Sequence, residues 1–237
     1  MKTSSPTVLR IRQELRRLGR PGKAKVLQGF FKTGPGEYGE GDVFIGVTVP
    51  EIRQLAKKYE SLSLSEIRLL LRSAIHEERL LALILLVDQY RQANNAHRKK
   101  IYDFYIRSTR HINNWDLVDV SAAAIVGAHL ATRSTRVLDQ FARSPDLWKR
   151  RIAIVATHEF IRRNRLKETF RIAQTFLHDR EDLIHKATGW MLREAGKRDT
   201  PALERFLKRH GPRMPRTMLR YAIERFPAVK RRLFLGR

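Results

Sequence analysis

Ser63-Leu64-Ser65-Glu66-Ile67-Arg68-Leu69-Leu70-Leu71 is the stretch that decides the fold class. A hydroxyl, then a carboxylate three residues on, directly ahead of an apolar run, is the two-way cap of an α-helix: Ser63 takes the N–H of Glu66, and Glu66 reaches back to that of Ser63. Similar punctuation recurs along the chain. Pro50 opens a helix over Glu51 to Tyr59, and Asn114 caps one that begins at Trp115. Ser144-Pro145 and Thr200-Pro201 each set a hydroxyl before a proline at the first helical position. Alternating runs are few, and no Asn-Gly or Asp-Gly hairpin turn occurs, so the chain reads as all-α.

The helices recur in pairs. Four apolar helices carry a small residue at similar depth, Ala82, Ala122, Ala153 and Ala187. They stand roughly 30 to 40 residues apart, with a more polar helix between each pair. That period predicts a superhelical stack of irregular HEAT-like repeats, taken as a single domain over residues 1–237. An ordinary globular bundle is the alternative. The segment Thr33-Gly-Pro-Gly-Glu-Tyr-Gly-Glu-Gly-Asp42 breaks the rhythm. It lacks the Gly-Lys-Ser/Thr of a phosphate loop and is acidic, so it reads as a structural loop, with a lid over a ligand as the second reading.

Charge is the outlier in composition. The 237 residues include 48 Lys and Arg against 24 Asp and Glu, a formal net charge of +24. Self-repulsion of that size points to a polyanionic partner, the plainer account being a basic surface kept for solubility. Basic clusters fall where helices end: Arg16-Arg17 with Arg20, 98–100, 149–151, Arg162-Arg163 with Arg165, and 230–232. Along a solenoid they would form a stripe on a concave face, suited to a duplex backbone. The absence of cysteine excludes disulfides, thiolate metal sites and cysteine nucleophiles. The histidines are scattered without a metal-binding spacing, so no metal is expected. No secretory h-region follows the N-terminus, and Leu80 to Val87 is too short to span a bilayer; a cytoplasmic protein that does not enter membranes is expected.

Two features suggest chemistry. Trp115, Trp148 and Trp190 lie at successive apolar helices, which suggests an aromatic lining at one site, buried core tryptophan being the plainer account. Asp119 lies one turn after Trp115, so both project from one helical face. Asp116, in the first turn, simply complements the helix dipole. Asp119 lies past that turn among Val118, Val120 and Ala122 to Ala124, where a carboxylate has no capping duty and is costly unless paired. Arg151 is a candidate partner or phosphate ligand, and a structural Asp119–Arg151 ion pair is the plain alternative.

At these residues the chain resembles the DNA alkylation repair glycosylases of the AlkD type, which are built from HEAT-like repeats. The resemblance runs through Phe44-Ile-Gly-Val-Thr-Val-Pro-Glu-Ile-Arg53, Asn114-Trp-Asp-Leu-Val-Asp119, Leu147-Trp-Lys-Arg-Arg-Ile-Ala153 and Lys186-Ala-Thr-Gly-Trp-Met-Leu-Arg-Glu194. It implies a catalytic role for Asp119, lesion-flanking roles for Trp115 and Trp190, and a phosphate contact for Arg151. Lys149, Arg150, Lys186 and Arg193 are further DNA-binding candidates in the same motifs. The chain departs from the family in a longer loop over 33–42, in Thr48 where an amide side chain is usual, and in Phe30 where a tyrosine is usual.

The activity so implied is hydrolysis of the N-glycosidic bond of cationic alkylpurines, of the 3-methyladenine and 7-methylguanine type, in duplex DNA. The resemblance further implies that no metal or cofactor takes part and that the base need not be flipped into a pocket. A monomer acting on alkylated double-stranded DNA is expected. The competing expectations are a non-catalytic binder of damaged or branched DNA and a HEAT-like scaffold for proteins.

Overall fold

A computed structural model describes residues 5–236. The chain divides into two compact units, one running through Ser121 and the other from Ala122. Among the described residues every regular element is helical, apart from one isolated parallel bridge between Val43 and Ile75.

The first unit holds α1 (Pro6–Leu18), α2 (Pro21–Phe30), α3 (Val49–Lys58), α4 (Leu64–Leu71), α5 (His76–Gln92), α6 (Asn95–Arg107) and all but the last residue of α7 (Trp115–Ala122). Its centre is α5, buried continuously from His76 to Val87 and again at Tyr90. A helix apolar on every side must be surrounded, and α1, α3, α4 and α6 pack against this one. Each buried leucine among them contributes about 1.5–3 kcal/mol. Helix starts follow the sequence closely here. Ser63 and Glu66 form the expected capping box, and Thr48 forms another with Glu51. Asn94 caps α6 through the His97 N–H.

In the second unit a π-helical turn (Ala123–Gly127) leads into α8 (Ala128–Leu130). There follow α9 (Arg136–Ala142), α10 (Leu147–Arg162), α11 (Lys167–Thr175), α12 (Asp182–Arg198), α13 (Thr200–His210), α14 (Arg216–Ala222) and α15 (Ala228–Leu235). The π-turn, α10, α12 and α14 pack in succession as one layer, with α9, α11 and α13 as a second layer against them. Two expected caps shift. Asp146 rather than Ser144 caps α10, and Asp199 rather than Thr200 caps α13, with Pro201 one residue inside the helix. In both places an aspartate near the hydroxyl takes the cap, its charge complementing the positive end of the helix.

Small residues set the spacing of the first layer. Ala153 and Ala187 are buried as the periodicity predicts. A close approach of α12 to α14 falls at Gly189, where a Cβ would lie 2.5 Å from the Met218 carbonyl oxygen.

Candidate active site

α7 carries Trp115, Asp116 and Asp119 on its partly open face, while Leu117, Val118 and Ser121 face the interior. The inward side is pinned by Ser121, whose Oγ donates to the Leu117 carbonyl at 2.6 Å and lies 3.0 Å from the Tyr105 hydroxyl. Burial raises the Tyr105 pKa against the lowering effect of its contact with Ser121, and the negative charge of Asp119 raises it further. Asp119 is half-buried on that face. Cap duty at the helix start is met elsewhere: Asn114 Oδ1 accepts the Trp115 N–H and Asp116 Oδ1 accepts the Leu117 N–H, both at 2.8 Å.

The Trp115 indole is fixed by phenylalanines. Phe31 stacks on it at 5.0 Å with an interplanar angle of 11°, and Phe30 meets it edge-on at 6.0 Å. Phe30 itself is 63 % exposed. Behind this pair Phe31 stacks on Phe44, and Phe44 on His76.

His76 belongs to a buried polar group that sequence reasoning missed. Its Nδ1 lies 2.9 Å from Asp42 Oδ2 and its Nε2 2.8 Å from Asp116 Oδ2. Asp42 also accepts from Arg79 and, at 3.0 Å, from Asn114 Nδ2. Burial alone would raise the Asp42 pKa, but His76, Arg79 and Asn114 together hold it below the ordinary value. Asp116 thus does more than complement the helix dipole, since it ties α7 to α5. The one available signal was His76-Glu-Glu-Arg79, four charged or polar side chains leading straight into a wholly apolar turn.

The glycine-rich loop ends in this group through Asp42. Its own acids close it: Glu37 accepts the Gly34 N–H and Glu40 that of Gly36, at 2.9 and 3.0 Å. That geometry fits the structural-loop reading. Thr48 is engaged at the α3 cap, where the Arg20 guanidinium and then Thr48 hold the Glu51 carboxyl far below the usual carboxylate range.

In the second unit Lys186, Trp190 and Arg193 share one face of α12. Trp190 is half-buried and tilted against His158 at 6.0 Å. Burial lowers the His158 pKa. Lys186 pairs with Asp182 at 2.8 Å, and Arg193 pairs with Glu194 and Glu224. On α10, Arg151 is buried and donates to the Leu183 carbonyl at 2.7 Å, which ties it to the first turn of α12. Arg150 spends its donors on Asp179 and on the carbonyls of Ser144 and Pro145. Lys149 has no hydrogen bond or ion pair among the described residues. Trp148 begins the same helix, its N–H held by Asp146 at 2.8 Å. The structure therefore groups Trp115 with Asp119 in one unit, and Lys186, Trp190 and Arg193 in the other. No cluster of three or more His, Asp or Glu side chains among the described residues could hold a metal ion, and no helix there is long and apolar enough to cross a membrane.

Both units are all-helical, and each presents partly open tryptophan and charged side chains on a helix face. The chain belongs to the DNA alkylation repair enzyme family, whose model matches residues 11–226. Solved structures agree on the fold. A protein described as a predicted DNA alkylation repair enzyme from Enterococcus faecalis superposes with a TM-score of 0.71 at 18% identity, covering 89% of this chain and 97% of its own. AlkD2 from Streptococcus mutans gives a TM-score of 0.55 at 18% identity, covering 86% of this chain and 98% of its own. No curated protein matches the chain.

Proposed function

We propose that this protein is a monofunctional DNA N-glycosylase that releases cationic alkylpurines, of the 3-methyladenine and 7-methylguanine type, from duplex DNA without flipping the base. The observation that carries the reading is Asp119: a carboxylate on the open face of α7, one turn from an indole held in place by Phe31, at a helix start already capped by Asn114 and Asp116.

A purine alkylated at N3 or N7 carries a positive charge and leaves as a neutral base, so no general acid is needed. The C1′–N bond breaks with its electron pair going to the base, and an oxocarbenium-like sugar develops. Asp119 stabilises that cation and orients the water that adds to C1′ with loss of a proton. The indole faces of Trp115 and Trp190 attract the sugar more strongly as its charge grows. Arg151 holds the neighbouring phosphate, with Lys149, Lys186 and Arg193 as further backbone contacts and Arg150 bracing the helix that presents them. The reading calls for a cytoplasmic monomer, with no metal or cofactor.

The test is a single-turnover base-release assay on methylated duplex, with melting temperature and duplex affinity measured on the same preparations. Asp119→Asn should slow release by about 10²-fold or more while stability and binding persist. Uracil, a poor leaving group without an acid, should stay in place. Full activity in the variant removes Asp119 from the mechanism, and wild-type binding without any release means a DNA binder rather than an enzyme.

A further inference from the structure

Both ring nitrogens of His76 lie against carboxylate oxygens, those of Asp42 and Asp116. A carboxylate only accepts, and a neutral imidazole has one N–H, so a neutral ring would set two acceptors against each other at one of these contacts. The imidazolium satisfies both. It also balances the buried charge, with His76 and Arg79 facing Asp42 and Asp116. The other charged groups near it are Glu77, whose carboxylate is taken by the N–H groups of Ile45, Gly46 and Val47, and Lys23 of α2. Lys23 lines the same pocket of about 270 Å³ as His76 and Asp116.

Two routes lead from this ring to the start of α7. One is the hydrogen bond to Asp116, next in sequence to Trp115. The other is a stack of rings. His76 lies 4.4 Å from Phe44, Phe44 4.8 Å from Phe31, and Phe31 5.0 Å from the Trp115 indole. An imidazolium against the Phe44 face gains attraction that a neutral ring does not.

We propose that His76 is a positioning residue: held as imidazolium between Asp42 and Asp116, it fixes the first turn of α7 and the Trp115 indole, and thereby sets where Trp115 and Asp119 stand. The inference rests on the excision reading above for what that placement accomplishes. Burial on its own pulls His76 towards the neutral form, but the carboxylates of Asp116 and Asp42 outweigh it and raise its pKa. The charged ring therefore persists above the ordinary imidazole range and is lost as pH climbs through the raised value. Besides His76, Asp42 has Arg79 and Asn114, whereas Asp116 has only the Leu117 N–H among the described residues. A neutral ring keeps one N–H for two carboxylates, so the connection from Asp42 through His76 to Asp116 and α7 breaks at one end.

The test uses the wild-type chain from neutral to alkaline pH. Long-range ¹H–¹⁵N spectra should show both His76 ring nitrogens protonated at neutral pH, and the backbone amides of 115–119 should shift with the His76 midpoint. Single-turnover base release, corrected for enzyme-free loss, should fall through that same midpoint while duplex affinity changes little. Asp116→Asn still offers an acceptor to Nε2 but removes a charge that favours the imidazolium, so it should move the spectroscopic midpoint and the loss of rate to lower pH together. A neutral His76 at neutral pH, a rate level through its titration, or an Asp116→Asn profile that stays put overturns the proposal. If the wild type releases no base at any pH, the excision reading falls. The amides of 115–119 then decide alone: movement with His76 supports the positioning role, and fixed signals overturn it.

Discussion

Asp42→Asn is the most revealing single substitution in the first unit. The carboxylate is 4 % exposed and accepts from His76, Asn114 and Arg79. Asparagine keeps the shape but turns one acceptor into an NH2 group facing donors and leaves two buried cations opposite Asp116 alone. Two charge-assisted hydrogen bonds at about 1.5–3 kcal/mol each sum to about 3–6 kcal/mol, and one broken buried ion pair costs about 3–5 kcal/mol, so a loss of about 3–5 kcal/mol is expected. With a urea slope near 2 kcal/mol per M, the midpoint falls by roughly 1.5–2.5 M. Trp115 is the only tryptophan of its unit, so its fluorescence in a Trp148→Phe, Trp190→Phe background reports this unit alone. The deficit should narrow as pH rises, because His76 can then shed the proton that Asp42 no longer balances. A loss below about 1 kcal/mol at neutral pH, or a deficit that widens towards alkaline pH, would refute the account of the buried group.

The wild-type unit should lose stability at both ends of the pH range. Asp42, with its lowered pKa, contributes above the unfolded carboxylate value, and that contribution goes as pH falls through its folded value. His76 contributes below the unfolded imidazole value, lost as pH rises through its raised one; a urea midpoint flat across the range would contradict both. Gly189→Ala sets a Cβ 2.5 Å from both the Met218 carbonyl and the Tyr221 Cβ, and should cost about 1–3 kcal/mol by thermal denaturation. An unchanged melting temperature would mean that α12 and α14 separate easily. Lys149→Ala should weaken duplex binding across sequences and lower the salt slope by about one. An unaltered slope would remove Lys149 from the DNA contacts.

The fold class was legible because local signals agree with one another. The capping boxes at Ser63 and, in the structure, Thr48 stand before helices whose apolar faces the core then buries. Asp119 stands out in the sequence for the opposite reason, as a carboxylate past the first turn of its helix and among apolar residues. What stayed hidden depends on distance along the chain. Glu77 and Glu78 stand in the first turn of α5, where an acid ordinarily complements the helix dipole, and no periodicity relates His76 to Asp42 or Asp116 far away in sequence. The cap at Asp146 was missed because Ser144-Pro145 is the more familiar signal, while the carbonyls of that dipeptide serve instead to hold Arg150. The close approach at Gly189 stayed hidden because the small-residue pattern falls on Ala187, two residues earlier in the same helix.

Glu77 is buried, and its carboxylate is held by the N–H groups of Ile45, Gly46 and Val47 at 2.8–3.3 Å. Gly46 makes this possible: its φ is +84°, and a Cβ there would meet the Arg20 carbonyl. Peeling this irregular segment away would strand an anion in the interior, so it opens only when the end of α5 opens with it. Its three amides should therefore exchange with solvent as slowly as those of the central helix, making a stretch without regular secondary structure part of the unit's last region to unfold.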